Sequence, residues 1–167
     1  SVASLQKFTR YLEEAYLFVN LPRYSTKIKS RQTSALKTYC IDNGFIKARA
    51  FELSPNYGRL LENMVLVELL RRDYKPGLGL FYYHTRNNKE VDFVIRNGHK
   101  AEALIQVCYD LSAVKTRKRE QDALLEAARE TGCSELLILS WNEEAVVEKE
   151  GNTIHIVPVY KWLLNKG

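Results

Sequence analysis

At 167 residues and 46% hydrophobic, the chain is long enough to bury a core, as one large domain or two small ones. No run of ~18 apolar residues occurs, so no membrane span is expected, and Cys40, Cys108 and Cys133 lack Cys-x-x-Cys spacing, which points to reduced thiols in a cytosolic setting rather than to disulfides or zinc. Net charge is +5 but unevenly spread: residues 1–50 carry nine Lys/Arg against three Asp/Glu, and residues 110–150 six against ten, so a localised anionic partner is expected. The opening Ser1-Val-Ala-Ser-Leu-Gln has neither a charged leader nor an apolar signal core, and a start at Ser1 suggests a piece of a longer protein. In chain order, Ser4 is placed to cap a helix whose Leu5, Phe8, Leu12, Ala15 and Tyr16 form an apolar stripe. Leu17-Phe18-Val19 reads as a strand ended by Pro22. A polar, basic stretch from Arg23 to Ser34 follows, and Leu36 to Ile41 returns as a strand closed by Asp42-Asn43-Gly44.

Helix, strand, basic loop and strand is the order of the second half of a winged helix, so residues 1–54 read as a partial winged-helix segment. Its wing would present Arg23, Lys27, Lys29 and Arg31 to phosphates. After the Ser54-Pro55 break, Arg59 to Arg72 has almost no polar face and reads as a buried helix. Within it Glu62 lies over Val65, Leu66 and Leu69, where a carboxylate needs a partner, a metal or a raised pKa. Glu68 is its local rival.

Leu80 to His84 gives a strand, and Glu90 to Tyr109 gives two more joined at Asn97-Gly98, a strong hairpin signal. Alternation puts Glu90 and Asp92 on the face of Val94. A two-residue turn at Asn97-Gly98 would set Asp92 opposite Ala103, away from Gln106 and Cys108, and only a bulge or a longer turn would bring those residues to one face. A helix over 116–131 follows, ended by Gly132, with Lys115, Arg117, Lys118 and Arg119 crowding its start as a second candidate phosphate patch. Glu135 to Ser140 reads as a strand buried on both faces, which implies a parallel crossover from the strand holding Ile105. A hairpin around Glu150-Gly151-Asn152 and a short helix over 160–164 complete a mixed α/β sheet flanked by helices.

The helix with Glu62, the strand with Val91-Asp92-Phe93 and the strand ending Ile105-Gln106-Val107-Cys108 resemble the three-part core of the PD-(D/E)XK nuclease superfamily. More narrowly, Leu61-Glu62-Asn63, Glu90-Val91-Asp92-Phe93 and Leu139-Ser-Trp-Asn142 are similar to the C-terminal domain of archaeal and bacterial AAA-type ATPases. The resemblance implies a restriction-endonuclease-like domain over 55–167, with Glu62, Asp92, Gln106 and Cys108 at the catalytic positions and Glu62, Asp92 and Gln106 toward Mg²⁺. The sequence departs from the family where Gln106 replaces the acidic residue and Cys108 the lysine. Two carboxylates hold Mg²⁺ weakly or not at all, and losing one electrostatic contact costs on the order of 10²–10³ in rate. Lys89 and Lys100 are the nearby cations able to stand in. No G-x-x-x-x-G-K-[ST] occurs, so no nucleotide is expected on this stretch.

Three functions follow as expectations. The first is a non-catalytic or weakly catalytic nuclease-like module coupling an ATPase in the same full-length chain to DNA. The second is an active Mg²⁺-dependent DNA endonuclease. The third is a protein-interaction module on a nuclease-like scaffold. DNA is the suspected partner, RNA is not distinguished from it, and no membrane is expected.

Overall fold

The structure, a computed structural model, describes residues 2–25, 34–49 and 56–165. Helix α1 (Val2–Glu14) leads into a two-stranded antiparallel sheet of β1 (Phe18–Leu21) and β2 (Lys37–Cys40). The wing positions Lys27, Lys29 and Arg31 lie outside the described residues, as does the expected boundary at 54/55. The expected stripe on α1 is not a buried one: Phe8 is 65% exposed, and Tyr16 lies beyond the helix with a left-handed φ of 56°. As expected, the strand ends just before Asp42-Asn43-Gly44, β2 stopping at Cys40. Asp42 Oδ1 accepts from the Gly44 N–H (2.6 Å) and so starts a further helix, α2 (Asn43–Arg49).

The remaining elements build one six-stranded mixed sheet with helices on both faces. They are α3 (Tyr57–Arg71), β3 (Leu80–His84), β4 (Glu90–Asn97), β5 (Lys100–Cys108), α4 (Val114–Thr131), β6 (Glu135–Ser140), β7 (Ala145–Lys149), β8 (Asn152–Pro158) and α5 (Val159–Leu164). Strand order is β3-β4-β5-β6-β8-β7. As expected, β5 and β6 are parallel neighbours joined through α4, with Ile105 opposite Leu137. β8 adds to β6 in parallel, and β7 closes that edge antiparallel. Gly132 ends α4 in the left-handed region at φ 73°, where its N–H bonds the Ala128 carbonyl.

The core is split by the sheet. Leu61, Val65, Leu66 and Leu69 of α3 pack with Phe93, Ile95, Ile105 and Leu139 on one face. Ala123, Leu124 and Ala127 of α4 pack with Val91, Val94, Leu104 and Ile138 on the other. Val91 and Val94 share a layer although three residues apart, because β4 shifts register against β3 between Phe81 and Tyr83 and holds an extra residue at Asp92-Phe93. Parity therefore breaks at Asp92, which does not share a face with Val94.

The hairpin is also displaced by one residue. Asn97 pairs Lys100 across a Gly98-His99 turn, with φ 58° at Gly98, as a turn needing positive φ only at its first central position allows. A second shift between Ile95 and Arg96 sets Phe93 opposite Ile105 and Ile95 opposite Ala103.

Candidate functional site

At the start of β4 three carboxylates converge on one ammonium. Lys37 Nζ lies 2.6 Å from Glu62 Oε1, 2.8 Å from Glu90 Oε1 and 3.1 Å from Asp92 Oδ1. Each comes from a different requirement of the fold. Glu62 stands in the second turn of α3, Glu90 opens β4 and Asp92 sits in its bulge, and Lys37 opens β2 two residues before Tyr39, so both project from one strand face. Tyr39 Oη donates to Glu62 Oε1 (2.7 Å), the Val107 N–H donates to Asp92 Oδ2 (2.9 Å), and His84 Nε2 lies 2.7 Å from Glu90 Oε2.

The β1–β2 ribbon is held here by Asn63. Its amide accepts from the Cys40 N–H (2.9 Å) and donates to the Cys40 carbonyl (2.7 Å), acting as a buried substitute for a strand partner.

The electrostatics follow from three acids around one base. Burial, reinforced by the Glu62 carboxylate, pushes Asp92 up to about 7 against the pull of Lys37 and the Val107 N–H. Burial alone would lower the Lys37 ammonium, but Asp92, Tyr39 and Glu62 outweigh it and hold Lys37 above the ordinary lysine value. Burial, with Glu62, likewise raises Tyr39. Beside this centre opens a cleft of about 760 Å³ whose lining includes Lys37, Tyr39, Lys47, Tyr57, Arg59, Glu62 and Glu90.

Of the four positions the nuclease resemblance singles out, the structure turns the side chains of two toward one ammonium, and Gln106 meets Asp92 only at the backbone, its Oε1 accepting from the Asp92 N–H (3.4 Å). Glu62 and Asp92 share the Lys37 ammonium. Gln106 and Cys108 engage the α4 side instead: Gln106 Nε2 donates to Glu120 Oε2 (2.6 Å), and Cys108 packs in the α4 cluster with its thiol toward the Asp110 carbonyl (3.2 Å). Burial pushes that thiol up to about 11, so it is a neutral packing group at ordinary pH.

Mg²⁺ held by Glu62, Asp92 and Gln106 does not fit this arrangement, since the ammonium lies between the first two and the third is turned to Glu120. Among the described residues no group of three or more His, Cys, Asp or Glu is arranged to hold a metal ion.

The stand-in cations are engaged or remote: Lys89 pairs Glu126 (3.1 Å), and Lys100 sits exposed at the hairpin turn. Glu68 is buried against Arg71 and Arg72, whose hydrogen bonds hold it below the usual range. Sequence reasoning missed Lys37. The available signal was a lysine and a tyrosine on one face of a short strand, in a chain with two buried carboxylates in need of a cation.

The basic patches fare unevenly. Arg117 pairs Glu143, Lys118 pairs Asp122 (3.0 Å), Arg119 pairs Glu120 (2.5 Å), and Arg23 donates to the His84 carbonyl (2.8 Å). Lys115 has no ion pair among the described residues.

No helix among the described residues is long and apolar enough to cross a membrane. The chain is 36% identical over 166 residues to an uncharacterized protein of Methanocaldococcus jannaschii, covering 96% of this chain and 36% of the relative. It is 29% identical over 163 residues to an uncharacterized protein of Haemophilus influenzae, covering 96% of this chain and 37% of that relative. It thus spans little more than a third of the length of these relatives. No solved structure matches it. Residues 57–162, which carry α3, the whole six-stranded sheet and both carboxylate-bearing elements, match a family model, and the chain belongs to that family, the domain of unknown function DUF4143.

Proposed function

We propose that this chain is a nuclease-like module that associates with nucleic acid without cleaving it, or cleaving it only weakly, as part of a larger ATPase. The observation that carries the reading is the Lys37 ammonium between Glu62, Glu90 and Asp92. A nuclease of the resembled type needs a hydrated divalent cation at its carboxylates and a positive charge beside the scissile phosphate. Here the carboxylates are neutralised from within, and the residues at the acid and lysine positions, Gln106 and Cys108, belong to the α4 layer. An ammonium cannot lower the pKa of a bound water as Mg²⁺ or Zn²⁺ does, so hydrolysis loses its activated nucleophile.

The basic N-terminal third supports an anionic partner, and the relatives, nearly three times as long as this chain, leave room for an ATPase part. Two measurements on the purified chain test the reading. Plasmid and single-stranded DNA incubated with Mg²⁺ or Mn²⁺ are expected to stay intact. DNA affinity is expected to fall linearly as log affinity against log salt. Mg²⁺-dependent cleavage abolished by Asp92→Ala would establish an active endonuclease instead, and no DNA binding at any salt would favour the protein-interaction reading.

A further inference from the structure

Three aromatic rings form a continuous column at the edge of the cleft. Tyr57, at the start of α3, stacks on Tyr109 with centroids 5.2 Å apart and planes 20° apart. Tyr109 in turn lies 5.3 Å from Trp141 at 32°. The chain fixes the column because Tyr109 and Trp141 each directly follow the C-terminal end of a parallel strand, β5 and β6, and the Trp141 N–H reaches the Tyr109 carbonyl (3.4 Å). Ligands of open α/β sheets gather at this edge. The two end rings are half exposed, Tyr57 at 49% and Trp141 at 50%.

The charge beside the column selects its occupant. Tyr57 lines the cleft together with Lys47 and Arg59, and neither cation has an ion pair among the described residues, unlike Arg117, Lys118 and Arg119. The acids nearby are already engaged: Glu62 and Glu90 by Lys37, Glu143 by Arg117, Glu144 by Lys161. A flat apolar face beside unpaired cations suits a base with its phosphate. Bases inside a duplex cover one another's faces, so only an unpaired strand can stack here. Two exposed rings at opposite ends of the column call for several linked bases rather than one free nucleotide.

We propose that Tyr57, Tyr109 and Trp141 are a base-stacking platform for a single-stranded polynucleotide whose phosphates are taken by Lys47 and Arg59. The proposal rests on the nucleic-acid reading above and specifies its ligand. It is tested by anisotropy titrations of a labelled oligothymidylate and of a blunt hairpin duplex at one salt concentration. The single strand is expected to bind more tightly, and Tyr57→Ala and Trp141→Ala each to weaken it about tenfold while leaving the hairpin unchanged. Tyr57→Phe, which keeps the ring and loses only the hydroxyl, is expected to bind as the wild type does, whereas Tyr57→Leu behaves like Tyr57→Ala. Equal binding of both polymers, insensitive to removal of the rings, would overturn the platform and leave the nucleic-acid reading standing. Failure of both polymers to bind would overturn the platform and the nucleic-acid reading together.

Discussion

Lys37 directs its three N–H donors at Glu62, Glu90 and Asp92, so it is worth more to the fold than a surface lysine. Its side chain is only 21% exposed, and deleting one partner of a buried ion pair strands the others. Lys37→Ala is expected to lower unfolding free energy by about 3 kcal/mol in a urea titration at neutral pH. Adding Asp92→Asn should return part of that loss, because the amide keeps the shape and removes a charge; a double variant no more stable than Lys37→Ala alone would argue against this account. Asp92 also sets a pH dependence whose sign is fixed by its shift. Its folded value of about 7 lies above the ordinary 3.8, so the folded state holds the proton more tightly. That favourable contribution is complete below about pH 4 and is lost as pH rises through about 7. Glu90 and Glu126 shift the opposite way and lose their contributions on acidification from about pH 4.5 downward, but both proteins carry them, so they cancel in the comparison. The wild type should therefore lose stability relative to Asp92→Asn between about pH 4 and 7, and parallel urea midpoints for the two proteins across that range would refute the assignment. Glu62 and Asp92 were legible in the sequence as buried acids in need of a partner. Lys37 was not, because its strand lies on the other side of a basic stretch and nothing in the local pattern says which sheet the ribbon meets.

The element scale explains why two of the four resembled positions separate from the others. Local rules located α3, β3, the β4–β5 hairpin, α4 and the parallel β5–β6 pair, since each depends on periodicity, a turn signal or the length of a crossover. They could not locate two register shifts in β4, because a bulge is fixed by packing on both faces and leaves no residue signature. One extra residue at Asp92-Phe93 turns the Asp92 carboxylate to Lys37 while Gln106 and Cys108 stay under α4. This geometry decides an engineering experiment. Gln106→Glu with Cys108→Lys would restore the family's residue types, yet the new carboxylate would face Glu120 and the new ammonium would enter a pocket where Cys108 is 8% exposed. The double variant is expected to melt at lower temperature and to show no Mg²⁺-dependent plasmid cleavage; cleavage by a stably folded double variant would mean that the two faces communicate. The ribbon carrying Lys37 has its own anchor in Asn63. Asn63→Leu leaves the Cys40 N–H and carbonyl unpartnered at a buried site, a loss of about 2 kcal/mol. Hydrogen exchange should then speed up at Cys40 and its β2 neighbours while β5 and β6 remain protected. Uniform acceleration through the sheet would instead mean that ribbon and sheet unfold as one unit.

At the scale of the whole molecule, net charge is a poor guide to where an anionic polymer would lie. The chain carries +5, and the start of α4 looked like its densest cationic patch in sequence. In the structure Arg117, Lys118 and Arg119 each face a carboxylate, so a phosphate arriving there would have to displace an existing pair. Lys47 and Arg59 have no such competitor among the described residues and line the same cleft as Tyr57. Counterion release makes the difference measurable, because only cations that contact phosphates contribute to the slope of log affinity against log salt. For a single strand each contact contributes about 0.7 to that slope. Lys47→Ala with Arg59→Ala is expected to flatten it by about 1.4, the loss of two contacts. Lys118→Ala with Arg119→Ala is expected to leave the slope nearly unchanged; it frees Glu120, while Asp122 keeps its pair with Lys149 (2.9 Å), so binding weakens only modestly and mainly at low salt. Arg23 is intermediate, since one end of its guanidinium is already bonded to the His84 carbonyl. Oligothymidylate titrations of the wild type and both double variants, over the same salt series, measure all of these terms. A slope that falls with the α4 pair and not with Lys47 and Arg59 would place the polymer across the start of α4, with its phosphates replacing the carboxylates in those ion pairs.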